Sequence, residues 1–257
     1  MWKRLRIVVL LLVLMFVALK TYFDAHYATD WDAPLRVRVY PIDADGEAAT
    51  GRFVRSLQES DWQPLEEFFA AEAKEYAVAL DRPIRFSLGP QIHERPLVPE
   101  PDAGPLSIAL WSLRTRYWAW RVPNDSGLPA DPDIRLFLLY FDPARHASLP
   151  HSLGMQKGLY GIVNVFADRD AAGSNATVVA HELLHTLGAT DKYDLASTLP
   201  VHPDGYAEPH REPLYPQHFA ELMGGRIPLN DREAEIPDSL AQVIIGRKTA
   251  REIGWSE

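Results

Sequence analysis

His181, Glu182 and His185 are the residues whose types and spacing speak most directly of chemistry. They open the run His181-Glu182-Leu183-Leu184-His185-Thr186-Leu187-Gly188-Ala189-Thr190-Asp191. On a helix, side chains four residues apart differ by about 40° around the axis, so both imidazoles can reach one ion. Glu182 lies about 100° round, beside that ion, where a base can take a proton from metal-activated water. Two imidazoles alone leave a site open, and a third ligand is needed. Gly188 adopts a left-handed backbone at little cost, which turns the chain sharply after the helix. Asp191 can then bring a carboxylate oxygen back to the metal. Glu221, further along, is the competing third ligand. The bland alternative is a surface helix with two solvated histidines and an incidental glutamate.

Such a cluster needs a helix seated on a core. A helix is predicted from Ala176 to Leu187, with Ser174 or Asn175 as its cap and Gly188 as its stop. Val179, Leu183 and Leu187 fall on the face opposite the histidines and would enter the core. Asn175-Ala176-Thr177 also matches a glycan acceptor, although the cap is the simpler use. Upstream, Leu35 to Ile42 alternates as a strand does, and Asp43 to Gly46 reads as a turn. Asp61 can cap a helix from Trp62 to about Leu80, with Pro64 in its first turn. Ile84 to Leu88 is a short strand, and the proline-rich stretch Glu94 to Pro105 is a loop.

A helix from about Leu106 to Trp120, rich in Trp and Tyr, is expected to pack on the core. Ile134 to Phe141 is almost continuously apolar, the pattern of a central strand buried on both faces. Leu159 to Ala167 is a second strong strand, where Gly161 and Asn164 suggest an edge position or a bulge. Residues 192–218 are loop-rich, and a last helical region lies between Ser239 and Ile253, broken at Gly246. These elements predict an α+β domain over residues 35–257.

The composition narrows the partners. The chain has 257 residues, 47% hydrophobic and 24% charged, with a net charge of -9 and no cysteine. It lacks the basic surplus of a general nucleic-acid binder, so no nucleic-acid partner is expected. Without thiolates, any metal must be held by His, Asp or Glu. Lys3, Arg4 and Arg6 precede an apolar run from Ile7 to Leu19, followed by Lys20. Residues 1–23 therefore read as a signal-anchor or a cleaved signal peptide, and 24–34 as a linker. The basic flank belongs in the cytoplasm, which puts the remainder outside, anchored through the N-terminal segment or secreted.

The run from His181 to Asp191 resembles the extended zinc motif of the metzincin peptidases, His-Glu-x-x-His-x-x-Gly-x-x-His/Asp, with Asp191 in the last place. Glu221-Leu222-Met223-Gly224-Gly225 resembles the methionine turn that this clan carries beneath its metal. The order of elements is similar too. The resemblance implies a zincin-like fold, a twisted mixed β-sheet with an active-site helix and a helical C-terminal subdomain, divided into 35–188 and 189–257. It implies one catalytic Zn2+ on His181, His185 and Asp191, with Glu182 as general base of an endopeptidase acting on peptides or proteins. By the same likeness, Leu159 to Phe166 would be the edge strand that pairs with an extended substrate.

Other readings stay open at this level. An envelope-tethered metal-binding or interaction domain without catalysis is one, and a zinc hydrolase of non-peptide amides is another. Tyr193, Tyr206 and Tyr215 are equal candidates for an oxyanion donor. His202, His210 and His218 could approach the cleft or sit on the surface. Met223 could be an ordinary core methionine, and Asp191, Asp194 and Asp204 show no calcium-loop pattern. Nothing in the sequence speaks to oligomeric state.

Overall fold

The computed structural model describes residues 27–98, 104–123, 128 and 130–256, with Trp2, Arg6, Ile7, Leu11, Leu12 and Met15 before them. Most of the apolar segment expected over 1–23, and the start of the expected linker, lie outside the described residues. Among the described residues no helix is long and apolar enough to cross a membrane.

In chain order, β1 (Leu35–Asp43) leads to α1 (Ala48–Arg55) and α2 (Gln63–Glu75), then β2 (Ile84–Leu88) and α3 (Pro105–Arg121). Next come β3 (Ile134–Phe141), β4 (Leu153–Met155), β5 (Tyr160–Phe166) and α4 (Ala172–Thr186). The fold is α+β with a mixed five-stranded sheet in the order β2-β1-β3-β5-β4. The first four strands of that order are parallel, and β4 is antiparallel to β5 at the edge.

Strand alternation gives the sheet two apolar faces. Val37 and Val39 of β1, Leu136 and Leu138 of β3 and Val163 and Val165 of β5 meet Leu65 and Phe69 of α2 and Leu183 of α4 in the main core. Tyr40, Phe137 and Ile162 point the other way, onto Trp118 and Ala119 of α3. As expected, β3 is a central strand, flanked by β1 and β5.

Several expectations change, and the helix expected from Trp62 to about Leu80 ends at Glu75. Leu159 to Phe166 is not the edge strand, because β4 covers its outer side in a hairpin too short to leave a period in the sequence. Asn175 caps nothing: the helix starts at Ala172, four residues before the expected Ala176, with Ala171 at its cap position. The Asn175 side chain instead accepts from Phe166 N (3.0 Å) and donates to Phe166 O (2.9 Å), tying α4 to the end of β5. The segment expected to be a linker holds two buried residues, Ala28 and Trp31, and Trp31 donates to Ile253 O at 2.7 Å. The C-terminal part is not helical in the main. It contains the short strands β6 (Ala220–Glu221), β7 (Ile227–Pro228), β8 (Ala234–Glu235) and β9 (Val243–Ile244), and one six-residue helix, α5 (Arg247–Glu252). Gly246 breaks the last region as expected, acting as the cap of α5.

Candidate metal centre

α4 carries Val179, Leu183 and Leu187 into the core, which turns the opposite face of its last turns outward. His181 and His185 lie on that face with ring centroids 4.7 Å apart. At the end of α4, Gly188 takes φ +101°, a conformation that side chains with a Cβ rarely adopt. The chain reverses there, and Asp191 returns to the two rings.

The three candidate ligand atoms form a nearly equilateral triangle. His181 Nε2 and His185 Nε2 are 3.1 Å apart, and each is 3.1 Å from Asp191 Oδ1. The other nitrogens are already occupied. His181 Nδ1 donates to Leu222 O at 2.9 Å, and His185 Nδ1 donates to Ala189 O at 2.8 Å. Carbonyl oxygens only accept, so both Nδ1 atoms are assigned the proton, and neutral rings present their Nε2 lone pairs to each other and to a carboxylate. Three acceptors converging in this way require a cation between them, either a proton or a metal ion. The electrostatics agree. Burial disfavours a charged His185, but Asp191 and the Ala189 carbonyl outweigh it and raise its pKa. Burial likewise opposes ionisation of Asp191, yet the two imidazoles packed against it outweigh burial and hold it below the ordinary carboxylate range.

The donor set fits zinc. Two imidazole nitrogens and one carboxylate oxygen are a common catalytic set, and bonds of about 2.0–2.2 Å in a tetrahedron put ligand atoms about 3.3–3.5 Å apart. The triangle is only slightly tighter than that. Both imidazoles also have the backbone partner that ligating histidines use to fix their orientation.

Glu182 lies beside this triangle, buried, with its Oε2 atom unpartnered. Burial raises its pKa, against the pull of His181 and His185 and a hydrogen bond from the Gly154 backbone. β4 runs directly along this part of α4: a Cβ built on Gly154 would stand 2.2 Å from Glu182 O and 2.5 Å from the His185 Cβ.

The other candidates separate cleanly. Glu221 is fully buried and accepts from Thr249 Oγ1 (2.6 Å), Gly246 N (3.1 Å) and Gly224 N (2.8 Å). All its bonds serve the 221–225 turn and the start of α5, and it does not join the histidines. Met223 is fully buried in the main core, and its carbonyl accepts from Lys192 N at 2.9 Å. The same turn supplies the Leu222 carbonyl that orients His181. Among the tyrosines, Tyr193 is the one at the centre, hydrogen-bonded to Asp191 and 6.3 Å from His181 by ring centroids. Tyr206 and Tyr215 bond to each other at 2.7 Å. His202 pairs with Pro209 O, and His218 sits between Glu208 and Arg211. Asp194 is used in its own turn with Ser197, whereas Asp204 shares a hollow of about 250 Å³ with Asp191 and Tyr193.

Lys192 and Glu252 are residues that sequence reasoning missed. Lys192 Nζ donates to Glu252 (2.8 Å) and to Thr190 O (2.9 Å), and Glu252 also accepts from Thr190 N and Oγ1. This clamp holds both neighbours of Asp191. No local pattern could have found it, because its two halves are brought together only by the docking of α5. Comparison of the chain with protein-family models and with curated proteins returns no match.

Proposed function

We propose that this chain is a zinc-dependent endopeptidase of metzincin type, with His181, His185 and Asp191 as metal ligands and Glu182 as general base. The observation that carries the reading is the triangle of acceptor atoms at 3.1 Å beside a buried carboxylate with a vacant oxygen. A structural site needs no such base, so the pairing favours hydrolysis over simple metal binding. The methionine-containing turn next to His181 adds to the likeness with that clan.

When bound, zinc would supply Lewis acidity that makes water nucleophilic near neutral pH and polarises a carbonyl. The chain does the rest. Glu182, its pKa raised by burial, accepts the proton of the attacking water and passes it to the departing amine. Tyr193 keeps its proton, since burial and the nearby Asp191 raise its pKa, and on leaving Asp191 its hydroxyl donates to the oxyanion that develops on the carbonyl. The outer edge of β4 offers main-chain groups to an extended peptide, a role transferred from β5 by the strand order.

Metal analysis of the purified full chain, paired with a peptide-library cleavage screen, tests the proposal. Stoichiometric zinc with cleavage is expected, and Glu182→Gln should keep the metal while losing at least about 10²–10⁴-fold in rate. Full activity in that variant, or wild-type protein that binds no metal, would refute it. Zinc without turnover on any peptide or amide would leave a metal-binding domain instead.

A further inference from the structure

α3 is built unlike the other helices. Only Thr115, Trp118 and Ala119 are buried, and the residues from 104 to 110 are exposed on every side. At 100° per residue, Leu106, Leu110, Leu113, Tyr117 and Trp120 fall within about 80° of arc, opposite the buried face. They form one stripe along the whole helix, and their exposures are 88%, 48%, 64%, 58% and 67%. Arg114 and Arg121 flank the stripe on one side and Arg116 on the other, at about 60–80° from its centre. No acidic residue occurs from Gly104 to Pro123. A soluble domain gains nothing from a stripe of this kind, because contiguous exposed apolar surface favours aggregation unless something covers it.

We propose that α3 is a second membrane contact: it lies in the headgroup region of a phospholipid bilayer, with Leu106, Leu110 and Leu113 toward the acyl chains. Three observations select a lipid surface over a protein groove. The stripe ends in Tyr117 and Trp120, whose ring centroids are 5.9 Å apart, and such amphipathic rings settle at the membrane–water boundary. Arg114 on one flank and Arg116 on the other, with no carboxylate within the helix, match anionic headgroups while their stems cover apolar surface, whereas Arg121 is paired with Glu94 at 2.7 Å. The third is position. Tyr27, where the described chain begins after the apolar N-terminal run, lines the same hollow as Arg116, Ala119 and Trp120. From Lys20 to Tyr27 an extended chain spans at most about 25 Å. A bilayer holding Ile7 to Leu19 would therefore lie within reach of this end of α3.

α3 docks through its C-terminal half on the sheet face opposite the main core, so the stripe faces away from α2. The histidine centre plays no part in this reasoning, and the outcome is independent of whether the chain hydrolyses peptides.

The chain has no cysteine, so single cysteines can be labelled without background. Leu113→Cys and Tyr117→Cys, with Lys74→Cys on α2 as control, are each made in the full chain and carry an environment-sensitive fluorophore. The proteins are placed with vesicles of phosphatidylcholine containing a minority of phosphatidylglycerol. Labels at 113 and 117 should shift to shorter wavelength and lose most of their emission to brominated lipid, while the label at 74 is quenched only by aqueous iodide. All three positions are exposed, so wild-type circular dichroism is expected of each variant. Equal iodide quenching at all three positions would overturn the proposal. So would stripe labels shielded from both quenchers, which would mean that protein, either a second copy or the N-terminal segment, covers α3. Failure of the chain to associate with the vesicles would overturn it as well.

Discussion

Gly154→Ala tests how tightly the edge strand is seated on the helix that carries the centre. The added Cβ would meet Glu182 O at 2.2 Å and the His185 Cβ at 2.5 Å, where 3.4 Å begins ordinary contact. Relief requires β4 and α4 to part by about 1 Å, since neither a backbone carbonyl nor a Cβ can rotate away. Overpacking of this kind costs about 1–3 kcal/mol. In a chain of this size each kcal/mol lowers the melting temperature by about 2–4 °C, so a drop of roughly 2–12 °C is expected in calorimetry. The displaced groups flank the proposed base, and a 1 Å error in such positions costs on the order of 10²-fold in rate. Zinc content should stay stoichiometric, because no ligand is removed. A variant with unchanged melting temperature and unchanged rate would refute the close seating of β4 on α4, and with it the placing of substrate along that strand.

Three further outcomes follow from the same geometry. Asp191→Ala should weaken zinc binding by more than the roughly 10–100-fold that loss of a ligand's hydrogen-bond partner costs, as measured by chelator competition. Glu221→Ala should leave zinc stoichiometry intact but destabilise the fold by about 3–5 kcal/mol in chemical denaturation, because three buried donors lose their acceptor. Loss of metal with the fold preserved would make Glu221 a ligand after all. Glu252 is held below its ordinary value of 4.5: burial opposes this, but Lys192 and Thr190 outweigh it. Its contribution to stability is therefore present above about pH 4.5 and is lost as pH falls through the lower folded-state value. Glu252→Gln should cost about 1–3 kcal/mol at neutral pH and flatten the acid limb of the stability curve, read from denaturation midpoints across pH.

The sequence by itself determined what is local and periodic. Two histidines a helical turn apart, a glutamate next to the first and a glycine at the helix end follow from the 3.6-residue repeat and from the one residue that adopts positive φ cheaply. The apolar run of β3 announced a strand buried on both faces for the same reason, since period and composition need no partner to be read. Everything that depends on which distant segments meet was decided by tertiary structure. Asp191 rather than Glu221 faces the histidines because three donors of α5 and the 221–225 turn hold both Glu221 oxygens away from them. Tyr193 stands out from Tyr206 and Tyr215 because the chain reverses at Gly188. β4, three residues long, carries too little pattern to be seen, yet hydrogen bonding to β5 makes it the edge. The stripe on α3 looked like core, because an apolar face has the same period whether it is covered by a sheet or left bare. Only the packing of Trp118 and Ala119 against Phe137 reveals that the sheet covers the other side.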